Sequence, residues 1–483
     1  MTEEFFGKFR SGELPSMLDE SNPMLQRFNR SKGKETSSEE SADLKKLETF
    51  SDLERSEVIK YLNTKELEGV GERDSELATI NLTSITLESG EVIDPKDDTL
   101  FKESFVRAPS NNPSDGTKKM YTELVTRGST SWANVTAEDG THFGAVVGKG
   151  DGSFKAFLEN GNIFSRDDKR WHTVRPTDLG HASGYLTISE ARVDAEKSKQ
   201  LHESGRRTRV AIAGYPLDKI TMDNVEYSGQ EFIDKFANGN TEELPYALEM
   251  AVRSPFRLSE LSSVVHEARG TGNLAALHEL AVHTINNSAQ DKEDVYRNLG
   301  EKWQSKLGNN TNLDKEDLGA FIEEYGLAYL EVISGEFASL HAGGKIHGNP
   351  HTSNTTFLAE FCDNVTVGES ESELDTANEI LSIYKEFPEV IANTVKGYRE
   401  DILGQESDLD SLKSSYAEKF EASYKAKNSE FFKNGESIVD AWKRRLFGEE
   451  EVQKESQSLT KPLARVPDRE GFRKKLRKDL RNS

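Results

Sequence analysis

The sequence predicts an α+β fold with two lobes, a small β-rich lobe followed by a larger helical lobe. Short apolar segments separated by glycine-containing turns recur within residues 119–220, which is typical of strands. Beyond Tyr215 the apolar residues recur at helical spacing. We therefore expect four regions: an acidic, partly disordered extension with a helix and a hairpin over 1–118, the β-rich lobe over 119–220, the helical lobe over 221–400, and a charged helical extension with a basic tail over 401–483.

The composition excludes several classes of protein. With 483 residues the chain is long enough for two or three domains, or for one large two-lobed enzyme with extensions. Its net charge of -23 should repel nucleic acid and anionic membranes. The single cysteine, Cys362, excludes a disulfide framework within the chain and a multi-cysteine zinc site. The first residues lack the order of a signal peptide and no apolar run reaches about 18 residues, so we expect a cytoplasmic protein without a membrane partner.

In the extension, residues 1–40 are polar and are predicted to be disordered, and residues 41–62 have a loosely helical pattern. Alternating apolar residues over 80–87, a turn at Gly90 and a second short segment at 92–93 predict a hairpin.

A glycine-rich turn interrupts the apolar segment that begins at Phe143. Gly150, Asp151 and Gly152 could let backbone amides approach a bound anion closely, as in a nucleotide site. A plain hairpin turn through the same three residues is the alternative.

A helix is predicted to begin at Thr187, to run to His202 and to end at Gly205, before a strand at 210–213. In the order strand, helix, strand, Glu190 on the helix could pair with a basic residue that touches phosphate. Glu190 could equally be a first-turn acid that the helix dipole favours.

The longest helical pattern, Leu318 to Leu340, leads into a polar loop over 345–354. A short strand pair is expected over 355–361, and then Asp363. The amide oxygen of Asn354 and the carboxylate of Asp363 are hard oxygen ligands, which can hold Mg²⁺ or Mn²⁺ against the phosphates of ATP.

The same loop follows the spacing of a kinase catalytic loop. His347, Asn349 and Asn354 match the pattern H-x-D-x-x-x-x-N, with Asn349 in the place of the aspartate. A polar loop that caps a buried helix would have a similar composition. Cys362, next to Asp363, is interpreted as a buried strand residue rather than a nucleophile.

The tail from residue 461 holds nine Lys or Arg against three acids. Such a tail could contact an acidic partner or its own surface, or remain solvated. We expect protein substrates or partners at the acidic extension and the basic tail, and no nucleic-acid partner.

Together these motifs resemble the selenoprotein O family, protein adenylyltransferases with a kinase-like fold. The resemblance spans roughly residues 143–365 and is carried by Phe143-Gly with Gly150-Asp151-Gly152, Trp171, Ile188-Ser-Glu190, Ser254-Pro-Phe-Arg257-Leu, and His347-Gly with Asn354 and Asp363. It implies a fold that binds ATP in an inverted orientation and moves AMP onto Ser, Thr or Tyr hydroxyls.

The resemblance also implies residue roles. Asn354 and Asp363 would bind the metal, Glu190 would be the helix acid, and Arg257 would contact phosphate. The strand lysine has no clean match, and Arg175 is the nearest basic residue, with Lys169 as an alternative.

The chain departs from the family at its catalytic positions. The family's base position is Ser353 and the ordinary kinase position is Asn349, so neither carries a carboxylate. General-base assistance, worth roughly 10²–10⁴-fold, is missing from both. Three hypotheses follow: an adenylyltransferase, a pseudokinase-type nucleotide-binding regulator or scaffold, and an atypical kinase, since the His347-Gly-Asn-Pro-His loop also resembles aminoglycoside phosphotransferases and atypical kinases.

Overall fold

The computed structural model describes residues 70–87, 90–106, 130–150, 158–159, 162–163, 186–222, 225–308, 313–370, 372–433 and 435–447. The chain forms two compact units. Of the smaller unit the structure describes a two-stranded hairpin and most of one C-terminal helix. The larger unit contains the other elements and the candidate site.

The strands are β1 (Leu82–Leu87), β2 (Val92–Ile93), β3 (Thr130–Ala137), β4 (His142–Lys149), β5 (Leu158–Glu159), β6 (Asn162–Ile163), β7 (Val210–Pro216), β8 (Lys219–Met222), β9 (Val225–Ser228), β10 (Tyr246–Val252), β11 (Lys345–Ile346) and β12 (Gly368–Glu369). The α-helices are α1 (Asp98–Phe105), α2 (Ile188–Glu203), α3 (Gly229–Phe236), α4 (Leu258–Thr271), α5 (Ala275–Ser288), α6 (Asp294–Leu307), α7 (Lys315–Ala342), α8 (Glu373–Asp401), α9 (Leu409–Lys427) and α10 (Ile438–Phe447).

The larger unit contains an antiparallel sheet of six strands, in the order β2-β1-β3-β4-β10-β7. The hairpin predicted over 80–93 is confirmed, since Ile85 pairs with Ile93. β1 and β2 thus join β3 and β4 in one sheet. Backbone bonds from Gly71, Asp74 and Thr79 cover the free edge of β7, which protects that edge from pairing with another chain.

The predicted helix from Thr187 is confirmed as α2. Thr187 is its N-cap and forms a capping box with Glu190, in which each side chain accepts a hydrogen bond from the other's backbone N–H. The chain leaves the helix at Gly205, whose φ of 75° suits glycine. α2 lies against β7 and brings its buried face to the sheet.

The predicted helix over 318–340 is confirmed as the 28-residue helix α7, which the side chain of Asp314 caps. Its first half buries a stripe at helical spacing, residues 332–338 are buried all round, and the helix contacts α8 and α9. Because α7 ends at Ala342, directly before the loop, its packing fixes where that loop begins. Within the described parts of the chain, no helix is both long enough and apolar enough to cross a bilayer.

The strand pair predicted over 355–361 is reduced to one pair of antiparallel residues. The segment is a tight turn closed by a single bridge between Thr355 and Phe361, with Ala359 at a φ of 57°. The buried side chain of Glu360 folds back onto Thr356, whose hydroxyl donates to it at 2.9 Å. This side-chain bond competes with a regular ladder.

Candidate functional site

A lysine at the end of β4 joins two aspartates from distant parts of the chain. The ammonium of Lys149 lies 2.7 Å from Oδ2 of Asp194 on α2 and 3.2 Å from Oδ1 of Asp363. The side chain of Asp194 is fully buried, whereas that of Asp363 is 50% exposed. Lys149 therefore lies between a buried anion and one that a ligand can reach.

A second cation shares the buried aspartate. Nη2 of Arg209, just before β7, lies 2.7 Å from the same Oδ2 of Asp194. Burial alone would raise the pKa of Asp194, but Arg209 and Lys149 hold that pKa below its usual value. Asp194 is therefore ionised at neutral pH.

Asp363 combines an unusual backbone with a strongly acidic side chain. Its φ of 61° and ψ of 47° lie in the left-handed region, where residues other than glycine tend to occur at functional sites. Partial burial opposes ionisation, yet Lys149, Arg209 and Arg257 hold the pKa of Asp363 well below its usual range. The carboxylate is charged and available at neutral pH.

The loop that carries the predicted catalytic residues is anchored from both sides. Glu379 on α8 accepts the backbone N–H groups of His347 and Gly348, each at 2.8 Å. The buried ring of His347 bonds through Nε2 to the carbonyl oxygen of Cys362, at 3.0 Å. Burial lowers the pKa of His347, so the ring is neutral at pH 7. His347 thus ties the loop to the residue before Asp363.

Asn354 lies beside the same segment. Its backbone carbonyl accepts the N–H of Cys362 at 3.0 Å, and its amide nitrogen donates to the carbonyl of Asn349 at 2.9 Å. With the nitrogen committed, and with no donor to the amide oxygen among the residues that the structure describes, this oxygen can serve as a ligand. The backbone bond between Cys362 and Asn354 therefore places the two predicted metal ligands, Asn354 and Asp363, on neighbouring segments of the chain.

The two positions that lack a carboxylate are occupied by neutral groups with defined partners. The hydroxyl of Ser353 donates to the hydroxyl of Ser259 at 3.1 Å. Asn349 uses its backbone carbonyl to hold Asn354. A second carboxylate beside the loop, that of Glu386, accepts the backbone N–H of Thr352 at 3.0 Å.

Arg257 follows β10 and begins α4. Its backbone N–H donates to Glu260, and it bridges to Thr356 in the turn before Asp363. The buried Nη1 of its guanidinium has no hydrogen-bond partner among the described residues. A buried donor of this kind is costly unless something satisfies it. Together with its effect on Asp363, this places a positive charge at the edge of the site.

Of the other predicted site residues, Gly150 and Glu190 have structural roles, and the rest lie outside the described residues. A Cβ at Gly150 would meet the carbonyl oxygen of Tyr246 at 2.0 Å, so this glycine permits close backbone packing. Glu190 is the capping residue of α2, and the acid that pairs with the basic residue is Asp194, one turn later. Asp151, Gly152, Arg175 and Lys169 lie outside the described residues.

Sequence reasoning missed Lys149, Asp194 and Arg209. Lys149 is the charged residue that ends the apolar strand β4, and Asp194 is a buried polar residue among the alanines of α2. A charge at the end of an apolar strand and another on the apolar face of a helix were the available signals. Their pairing depends on tertiary contacts that periodicity does not report.

Within the described residues, no group of three or more His, Cys, Asp or Glu side chains could hold a metal ion by itself. A metal at this site would therefore depend on Asn354, Asp363 and the oxygens of a bound ligand. Neither protein-family models nor curated proteins give a match to this chain.

Proposed function

We propose that the chain is an ATP-dependent transferase with a kinase-like fold, which moves AMP from ATP to hydroxyl groups of proteins. The observation that carries the proposal is Lys149, whose ammonium joins Asp194 on α2 to Asp363 beyond the loop. In kinases a strand lysine pairs with an acid on a helix and contacts nucleotide phosphates, while a downstream Asp holds Mg²⁺. The position of α2 between β4 and β7 in the chain supports the same fold.

The charge of the site supports an anionic ligand. Three cations, Lys149, Arg209 and Arg257, face two carboxylates, those of Asp194 and Asp363. The excess of positive charge and the unsatisfied Nη1 of Arg257 would be compensated by a phosphate. The resemblance to selenoprotein O implies that Arg257 contacts phosphate, and it is this resemblance that favours AMP transfer over phosphate transfer.

Asn354 and Asp363 would hold the Mg²⁺ or Mn²⁺ that accompanies ATP. Both supply hard oxygen ligands, and the hydrogen bond from the Asn354 amide nitrogen to Asn349 leaves the amide oxygen for this role. When bound, the ion would neutralise charge on the phosphates. The protein's own contribution is to hold the two oxygens in place through Cys362 and His347.

The chain's catalysis would depend on positioning rather than on proton removal. Asn349 and Ser353 cannot act as strong bases, and the Ser353 hydroxyl is engaged with Ser259. Transfer at phosphorus depends mainly on positioning and on charge, so such a site can still be active, at a lower rate. We assign the acidic extension and the basic tail to protein substrates or partners, and the reaction to the cytoplasm.

The test uses ATP labelled on the α- or the γ-phosphate, with Mg²⁺ or Mn²⁺, and the full chain. We expect α-label on protein hydroxyls, and its loss in Lys149→Met and Asp363→Asn. Matched controls are Lys302→Met, whose side chain is 52% exposed, and Asp294→Asn, whose side chain is 77% exposed. Wild-type protein that binds no ATP in calorimetry would overturn the proposal.

A second function, a pseudokinase-type binder or scaffold, is favoured by the missing carboxylates at Asn349 and Ser353. It requires that ATP binds through Lys149 and that neither label reaches protein. Transfer of the γ-label alone would instead identify an atypical kinase. The labelled-ATP experiment therefore separates the three hypotheses in one measurement.

A further inference from the structure

Two cations meet on one oxygen of the buried aspartate of α2. Lys149 and Arg209 both lie 2.7 Å from Oδ2 of Asp194. The Asp194 side chain is fully buried, and Arg209 is only 6% exposed. Lys149 is 25% exposed and also reaches Asp363, which is 50% exposed. The two cations therefore differ in access: Arg209 is enclosed, and Lys149 faces the open part of the site.

A second buried link joins α2 to the segment after Asp363. The amide nitrogen of Asn364 donates to the hydroxyls of Ser198 on α2 and of Thr208, each at 2.8 Å. Asn364, Ser198 and Thr208 are all fully buried. Two buried polar contacts, those with Arg209 and Asn364, therefore hold α2 without involving Lys149.

From these contacts we propose that Arg209 is a positioning residue. It holds Asp194, and with it α2, independently of Lys149, so that the Lys149 ammonium can turn toward an anionic group of ATP without leaving a buried carboxylate unpaired. A buried charge without a partner is strongly destabilising, whereas one that keeps a partner is not. The choice of ATP as the ligand rests on the proposed function. The role of Arg209 in holding α2 does not depend on any ligand.

The first test needs no nucleotide. Amide hydrogen exchange of residues 188–203 reports local opening of α2. We expect Lys149→Met to leave that exchange within about twofold of wild type, because the enclosed Arg209 still pairs with Asp194. Arg209→Met should accelerate it by about tenfold or more, because Asp194 then loses its enclosed partner and depends on the partly exposed Lys149. Arg209→Lys should restore much of the protection. The control is Arg192→Met, which removes an exposed ion pair from the same helix.

The second test separates this role from simple packing. Arg209→Met should weaken ATP binding by about tenfold in calorimetry, because Lys149 is then the remaining charged partner of Asp194 among the described residues. Replacing Asp194 as well, in Arg209→Met/Asp194→Asn, removes the buried charge and should restore most of the affinity. Loss of packing alone would not be rescued by this neutralisation. The double variant no longer buries a carboxylate at position 194, so its folding where the single variant fails would also support the assignment.

Two results would overturn the assignment. One is exchange of α2 that rises as much in Lys149→Met as in Arg209→Met. The other is a double variant whose ATP affinity and stability are no better than those of Arg209→Met. If the wild-type protein binds no ATP, the proposed function fails, and the exchange measurements still decide whether Arg209 holds α2.

Discussion

Two buried carboxylates of the larger unit differ in what surrounds them. Glu336 on α7 accepts the backbone N–H of Arg207 at 2.9 Å, and burial raises its pKa above the usual value. Asp194 is more deeply buried, yet Arg209 and Lys149 lower its pKa. For these two carboxylates, the direction of the pKa shift therefore follows the cations in direct contact and not the depth of burial.

At the residue scale we expect Gly150→Ala to destabilise the protein. Gly150 has a φ of 92°, and an added Cβ would lie 2.0 Å from the carbonyl oxygen of Tyr246 and 2.5 Å from Cβ of Leu186. Backbone strain and overlap should together lower the free energy of unfolding by about 2 kcal/mol or more. Urea unfolding measures the change.

The matched control for this substitution is Gly205→Ala. Gly205 has a φ of 75° and no atom within 4 Å of an added Cβ, so the substitution introduces strain without overlap. We expect it to cost about 1 kcal/mol. Equal losses in the two variants would show that close packing at Gly150 contributes nothing.

The residues of the site could be predicted only in part. Asn354 and Asp363 follow one loop, so local spacing indicated them. Lys149 has its partners 45 and 214 residues away in sequence, and no pattern along the chain reports such distances. Arg175 is the basic residue closest to the motif position where the family has its strand lysine. Closeness in sequence does not show which side chains are in contact.

At the scale of elements, prediction succeeded where a helix carries its own start and stop signals. The capping box at Thr187, the turn at Gly205 and the apolar stripe of α7 are all local. The pair of strands over 355–361 is shortened to one bridge because the Glu360 side chain accepts a hydrogen bond from Thr356 within the turn and another from Arg253, a distant residue that the local sequence does not indicate.

The capping box also gives a test of Glu190 as a site residue. Thr187→Ala removes the N-cap acceptor, so we expect it to lower the free energy of unfolding by about 0.5–2 kcal/mol. Glu190→Gln keeps an acceptor oxygen for the capping box and should change the free energy of unfolding much less. Neither should change the affinity for ATP, because Asp194 is the acid that contacts Lys149. Calorimetry with ATP checks the second expectation. A loss of affinity in Glu190→Gln alone would show that Glu190 contributes to ATP binding.

At the scale of the whole molecule, one buried ionic network connects the sheet to the helical part. Arg207, before β7, forms a bidentate pair with Asp291, before α6, at 2.8 and 2.6 Å. The same guanidinium donates to the carbonyl of Leu358 in the turn before the site. Arg253, after β10, adds contacts with Asp291 and Glu360. Such a network depends on every member, since an unpaired buried charge is costly.

This network makes the stability of the protein depend on pH through Asp291. Burial opposes its ionisation, but Arg207 and Arg253 lower the pKa from 3.8 to about 2. A lowered pKa in the folded state stabilises the protein above the unfolded value, near pH 4, and that contribution of about 2 kcal/mol is lost as the pH falls toward 2.

We therefore expect Asp291→Asn to be less stable than wild type by about 3–5 kcal/mol at pH 7, because Arg207 is left unpaired. The difference should shrink by about 2 kcal/mol between pH 5 and pH 2. Urea unfolding of both proteins over this range measures it, and Asp294→Asn, with a 77% exposed side chain, is the control. A difference that stays constant with pH would mean that the charge of Asp291 does not hold the sheet and the helical part together.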